Sequence, residues 1–160
     1  MQIIHSTEFH IPEPAAVAIG KFDGLHAGHR KLLDALMQAR DLGLATAVFT
    51  FDPSPMVFFG GGEACELSTR EEKRRSFAAL GIDYLIEFPL NAETAAIEPE
   101  EYIRRYLSEQ MNARYIVAGG DLSFGAGGKG DFALLDRLSD RYSYLTHQVD
   151  KLRIDGVTVS

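Results

Sequence analysis

"GKFDGLHAGHRKLL", residues 20–33, sets three glycines and two histidines between an apolar run, "AAVAIGKF" (15–22), and an amphipathic stretch, "HRKLLDALMQARDLG" (29–43). The run reads as a buried strand closing at Gly20. The stretch reads as a helix with Leu32, Leu33, Leu36 and Met37 on one side and Gly43 as its stop. A strand, a glycine corner and a helix make the first unit of an alternating α/β chain.

Outward from that unit the alternation continues. "ATAVFTF" (45–51) is a second strand, closed by the prolines of "DPSP". "STREEKRRSFAALG" (68–81) is a helix, opened by capping boxes that pair Ser68 with Glu71 or Thr69 with Glu72 and stopped at Gly81. "DYLIEF" (83–88) is a third strand and "PEEYIRRYLSEQM" (99–111) a helix with Pro99 at its start. "RYIVAG" (114–119) is a fourth strand and "DFALLDRLSDRY" (131–142) another helix. Such alternation predicts an α/β fold, a doubly wound and mostly parallel sheet with helices on both faces. The tail "YLTHQVDKLRIDGVTVS" alternates apolar and polar residues around Asp155-Gly156, which predicts a C-terminal β-hairpin. Two glycine-rich stretches, "FFGGGEAC" (59–65) and "GGDLSFGAGGKGD" (119–131), fall near strand C-termini, where open α/β sheets bind ligands.

Composition narrows the function. The chain has 160 residues, 46% hydrophobic and 24% charged, enough for one domain with a real core. A net charge of −7 argues against a nucleic-acid surface, which needs a basic face. It leaves room for anionic small ligands held by backbone amides and a few local cations. Cys65 is alone, so no intrachain disulfide can form, and a reducing, cytoplasmic setting is expected. "MQIIHSTEFH" lacks a basic leader, and no apolar stretch is long enough to cross a membrane.

His26 and His29 are three apart, so they share a face if the helix begins near Leu25. A helix start carries unpaired N–H groups and about half a positive charge. Gly24 and Gly28 keep side chains away from that backbone. Imidazoles, bare amides and a positive dipole end together suit a polyphosphate. A metal centre would need a third ligand, and neither His5, His10 and His147 nor Cys65 has matching spacing, so no metal ligands are expected. A cap and a surface histidine would be the plain alternative, but the strand, the G-x-F-D-G lead-in and the helix favour a functional pair.

"GKFDGLHAGH" resembles the G-x-F-D-G-x-H-x-G-H segment of the nucleotidylyltransferase superfamily, most closely that of the FMN adenylyltransferase module of bacterial FAD synthetases. "TFDPSP" (50–55), "LSTREEKRRSFAALGIDYLIEFPL" (67–90), "PEEYIRRYL" and "IVAGGDLSFGAGGKGDFALL" are similar to that family's later segments, in order. The resemblance covers nearly the whole chain and implies a Rossmann-like nucleotidylyltransferase fold. It implies the reaction ATP + FMN giving FAD and pyrophosphate, with magnesium accompanying ATP. His26 and His29 would contact the phosphates and stabilise the transition state. Gly20, Lys21, Phe22, Asp23, Gly24, Gly28, Gly119 and Asp121 would complete the nucleotide site. Phe51, Pro53, Ser54, Pro55, Phe124, Gly125 and Asp131 would face the flavin, with Phe58 and Phe59 nearby.

Other readings of these residues stand beside the resemblance. Asp23 is equally suited to capping a helix, and Lys129, in the loop's closing turn, to plain solvation. The run Arg70, Lys73, Arg74 and Arg75 reads as a solvated helix face. Lys21, Ser54 and Leu122 depart from the family's usual Asn, His or Gln, and Phe. Members of that family continue past the position of Ser160 with a second phosphate grip and usually a riboflavin kinase domain, which is absent from residues 1–160, so the expectation is either a sequence cut just before the grip or a single-domain relative. Two alternatives stay open: a module that binds nucleotide or flavin without turnover, and a relative using another phosphorylated acceptor or CTP.

Overall fold

All five residues of β2 (Ala15–Ile19) are buried, which is why this stretch shows no apolar–polar alternation: helices cover it on both sides. The computed structural model describes residues 1–20, 22, 27–52, 70–149, 152–154 and 157–159, with the backbone alone for 27–29, 152–154 and 157–159. The predicted capping boxes at Ser68 and Thr69, the 59–65 glycine cluster and the Asp155-Gly156 turn lie outside the described residues.

β2 is central in a six-stranded, all-parallel sheet of order β1-β4-β3-β2-β5-β6, formed by β1 (Gln2–Ile4), β2, β3 (Ala45–Asp52), β4 (Tyr84–Pro89), β5 (Ala113–Gly119) and β6 (Leu145–Val149). The doubly wound expectation therefore holds. Ala16, Ala18, Val48, Leu85 and Val117 point to one face, where α1 (Ala27–Gln38) and α2 (Arg70–Ala79) supply Leu32, Leu33, Leu36 and Phe77. Val17, Ile19, Phe49, Phe88 and Ile116 point to the other. There the cover comes from α3 (Pro99–Glu101), which runs on as a π-helix (Tyr102–Gln110), and from α4 (Phe132–Arg137) and α5 (Ser139–Tyr142). The alternation of faces is the two-residue period of a strand, and each large side chain so buried contributes about 2 kcal/mol.

Several elements differ from the sequence-based expectation. The α1 helix stops at Gln38 and tightens into a 3₁₀ turn, Ala39–Leu42, before Gly43 closes it at φ +80° with its N–H on the Arg40 carbonyl. The 131–142 helix is broken in two at Leu138. In the tail, residues 145–149 are not part of a hairpin but the sixth parallel strand, paired from Tyr115↔Leu145 to Gly119↔Val149. The antiparallel hairpin is confined to β7 (Leu152–Ile154) and β8 (Val157–Val159). Among the described residues no helix is long and apolar enough to cross a membrane.

The Tyr84 hydroxyl donates to the Glu13 carboxylate, a contact joining β4 to the segment before β2. That hydrogen bond, helped by partial desolvation, pushes the phenol from its ordinary 10.0 up to about 12. A raised phenol pKa means the folded state holds the proton more tightly, so the contact stabilises fully below pH 10.0 and its contribution is lost as pH rises toward about 12. In a near-ultraviolet alkaline titration, Glu13→Ala is expected to bring one tyrosine's ionisation down toward 10.0. An unchanged titration would refute the assignment.

Candidate active site

Strand order reverses at β2: the chain moves from β2 to β3 and β4 on one side, then returns to place β5 and β6 on the other. The crevice at the carboxyl ends of β2 and β5 is therefore the switch point where open α/β sheets hold ligands. Ala18 pairs with Val117. Carried on by two residues, this register sets Gly20 beside Gly119.

On the β2 side, the Gly20 N–H donates to the Phe49 carbonyl at 3.2 Å, and a Cβ on Gly20 would meet the Phe22 ring at 3.2 Å. Phe22 adopts φ +51°, unusual for a residue with a side chain. Burial holds it there: its ring is fully covered and packs edge-on against Phe77 of α2, centroids 5.4 Å apart. The Phe22 ring is thus the plug beneath the corner, and only its backbone is left to face a ligand. Past it α1 opens at Ala27, putting the backbones of Gly28 and His29 in the first helical turn, where N–H groups lack intrahelical partners. Lys21, Asp23, Gly24, Leu25 and His26 lie outside the described residues, as do Pro53, Ser54, Pro55, Phe58 and Phe59.

On the β5 side, Gly119 and Gly120 lead to an exposed Asp121. A Cβ on Gly119 would lie 2.7 Å from Asp121 Oδ1, so the missing side chain lets the carboxylate fold back over the strand end. The loop beyond is pinned. Phe124 and Gly130 exchange backbone hydrogen bonds at 3.0 and 2.8 Å, and the Ala126 N–H reaches the Ile97 carbonyl at 2.8 Å. Gly125, at φ +77°, runs so close to Pro99 that a Cβ would sit 2.8 Å from its ring. Among the predicted flavin-facing residues, then, Gly125 serves loop anchorage, and Asp131 caps α4, its Oδ1 accepting from the Leu134 N–H at 2.9 Å. Phe51 and Phe124 are buried in the aromatic cluster around Tyr102, 6.2 Å from its centroid in each case. Lys129 is exposed, in keeping with solvation.

The basic run on α2 corrects the sequence reading. Arg75 is exposed, but Lys73 is buried and Arg74 turns inward, its Nε and Nη2 donating to Glu87 of β4 at 2.9 and 2.6 Å. The carboxylate raises the Arg74 pKa further above its ordinary value. Arg70 pairs with Asp52 at the end of β3, and His5 Nε2 lies 3.3 Å from the same carboxylate. Ligand atoms of His5, Asp52 and Glu87 fall within 4.8 Å of one another, but guanidinium groups already hold both carboxylates, which makes this an ion-pair network. The inward turn of Arg74 was legible in principle. Arg70 and Arg74 are four apart, and acidic residues on two adjacent strands, Asp52 at the end of β3 and Glu87 within β4, can receive them.

Sequence and structure comparisons agree with this geometry. A family model described as FAD synthetase matches residues 8–160. A bifunctional riboflavin kinase/FMN adenylyltransferase of Escherichia coli (strain K12) is 32% identical over 159 residues, 98% of this chain and 51% of that one. A putative protein of the same description from Geobacillus thermodenitrificans is 36% identical over 124 residues, 77% of this chain and 67% of that one. The chain thus spans about half the length of the first of these relatives. In fold it resembles a macrolide-efflux protein from Streptococcus pneumoniae, with TM-score 0.80 at 24% identity over 99% of this chain and 54% of that one. It also resembles a pantoate-beta-alanine ligase from Francisella tularensis, with TM-score 0.60 at 14% identity over 100% of this chain and 71% of that one.

Proposed function

Since the chain belongs to the FAD synthetase family, we propose that it is a nucleotidyltransferase that moves AMP from ATP onto the phosphate of FMN, giving FAD and pyrophosphate. The observation that carries this reading is the placement of two glycine-closed strand ends, Gly20 after β2 and Gly119 of β5, on neighbouring strands at the strand-order reversal. One leads into the first turn of α1, and the other presents Asp121.

The chemistry asks little covalent help from the protein. An oxygen of the FMN phosphate attacks the α-phosphorus of ATP, the bond to the bridging oxygen breaks, and pyrophosphate leaves. The nucleophile is already an anion, so no general base is required. Alignment of two mutually repelling anions, and neutralisation of charge on the leaving group, are what the protein supplies. Unpartnered N–H groups and the positive end of α1 would hold phosphate oxygens, and His26 and His29 would add donors to them. Magnesium would enter with ATP and supply charge neutralisation at its phosphates. Asp121 fits this as an exposed carboxylate beside the crevice, since magnesium keeps phosphate and water as its main ligands. The relatives' name joins two activities, and we assign to this chain the adenylyl transfer, in the cytoplasm.

Incubation with ATP, FMN and magnesium, followed by chromatography, tests the proposal. FAD and pyrophosphate are expected in equal amounts. Tight ATP binding without any FAD would overturn it in favour of a binding module, and turnover only with another phosphorylated acceptor would replace the substrate.

A further inference from the structure

Phe22 holds a left-handed backbone, φ +51°, a region that costs residues with a side chain free energy and that glycine ordinarily fills. A strained backbone persists only while its surroundings hold it, and here the ring is the handle. On the strand side the ring lies back over Gly20, where a Cβ would stand 3.2, 3.5 and 3.6 Å from three ring carbons. On the far side Phe77 meets it edge to face, ring planes at 90° and centroids 5.4 Å apart. Both phenylalanines are fully buried. The ring is therefore clamped between the end of β2 and α2, and close packing leaves it no second place to go.

Phe77 is itself firmly seated. Three residues earlier on α2, Arg74 is forked to Glu87 of β4. As the chain leaves the helix, the Phe77 carbonyl accepts from the Ile82 N–H at 3.2 Å. The corner after β2 thus takes its position from a helix fastened to a different strand. We propose that Phe77 is a positioning residue for ATP: it fixes the Phe22 ring, and through that ring the backbone from which the chain enters α1. It acts without touching the nucleotide. The inference rests on the proposed use of that corner for the phosphates of ATP. Small movements there matter, because displacing a reacting group by about 1 Å can cost about a hundredfold in rate.

Phe77→Leu, Phe77→Met and Ile103→Val test this by equilibrium ATP binding, steady-state FAD formation and a thermal melt. Leucine keeps the core apolar but brings no ring edge to Phe22, whereas a methionine sulfur still contacts an aromatic ring. Ile103 is fully buried on the opposite face of the sheet and gives a comparable loss of packing. Phe77→Leu is expected to lower kcat about tenfold and to weaken ATP binding, since a ring released on one side shifts by a fraction of that distance. Phe77→Met should recover most of both. Ile103→Val should melt earlier to a similar extent and keep wild-type kcat and ATP affinity. Wild-type values in Phe77→Leu, or an equal loss in Ile103→Val, would overturn the inference while leaving FAD synthesis standing. ATP binding weakened by Phe77→Leu alone, in a protein that makes no FAD, would uphold the positioning role and overturn the enzyme. A wild type that does not bind ATP would overturn both.

Discussion

Replacing His29 with alanine is expected to lower turnover at saturating ATP and FMN about a hundredfold or more, with the melting temperature unchanged. The size follows from where the residue sits. Its backbone belongs to the first turn of α1, at the switch point of a parallel sheet, where charge on a leaving pyrophosphate would build. A donor placed there acts mainly on the transition state, so the loss should appear in kcat far more than in the KM for ATP. His26→Ala should behave alike, and the double variant should lose less than the sum of the two, because both would grip one triphosphate. His29→Gln, which keeps a donor, should recover part of the rate. The readouts are steady-state FAD formation and a thermal melt for each variant. A His29→Ala protein that unfolds early, or that turns over as wild type, would show the imidazole to be structural or idle.

The second large effect concerns stability. Arg74→Met is expected to destabilise the fold by about 3 kcal/mol, since it strands a buried carboxylate that had held a guanidinium fork. The figure lies at the low end for a broken internal pair because the Arg74 side chain keeps 31% of its exposure while Glu87 keeps 5%. In a domain of this size that is a fall in melting temperature of roughly 6–10 °C. The reciprocal change is the stronger test. Arg74→Met combined with Glu87→Met removes both charges, and most of the lost stability should return. A double variant as unstable as the single one would mean that Glu87 depends on a different partner.

Much of this architecture can be read from the chain, for identifiable reasons. β2, β3, β4 and β5 are buried on both sides and show as continuous apolar runs, and α1 shows its stripe of leucines. The edge strands do not announce themselves. β1 is three residues long, and β6 is exposed along most of its length, so Leu145 to Val149 read like a hairpin arm. Phe51 and Phe124 could not be divided between core and ligand pocket, because an aromatic ring satisfies either equally well until its neighbours are known. The π-helix carries no such local mark. It depends on the Met111 N–H reaching the Tyr106 carbonyl at 2.8 Å, one residue further back than an α-helix allows. The glycine corner was legible because it combines three signals at one point: a strand end, bare backbone and a helix start.

β1 lies at one margin of the sheet and, among the described strands, pairs with β4, which comes far later in the chain. During synthesis on a ribosome β1 therefore emerges long before β4, the strand on which it docks. The central ribbon of β2 likewise waits for β5 before its second flank is closed. Assembly must then proceed through distant, late encounters, which is the slow regime for a polypeptide of high contact order. Nascent chains stalled before Tyr84 should leave their amino-terminal end open to proteases.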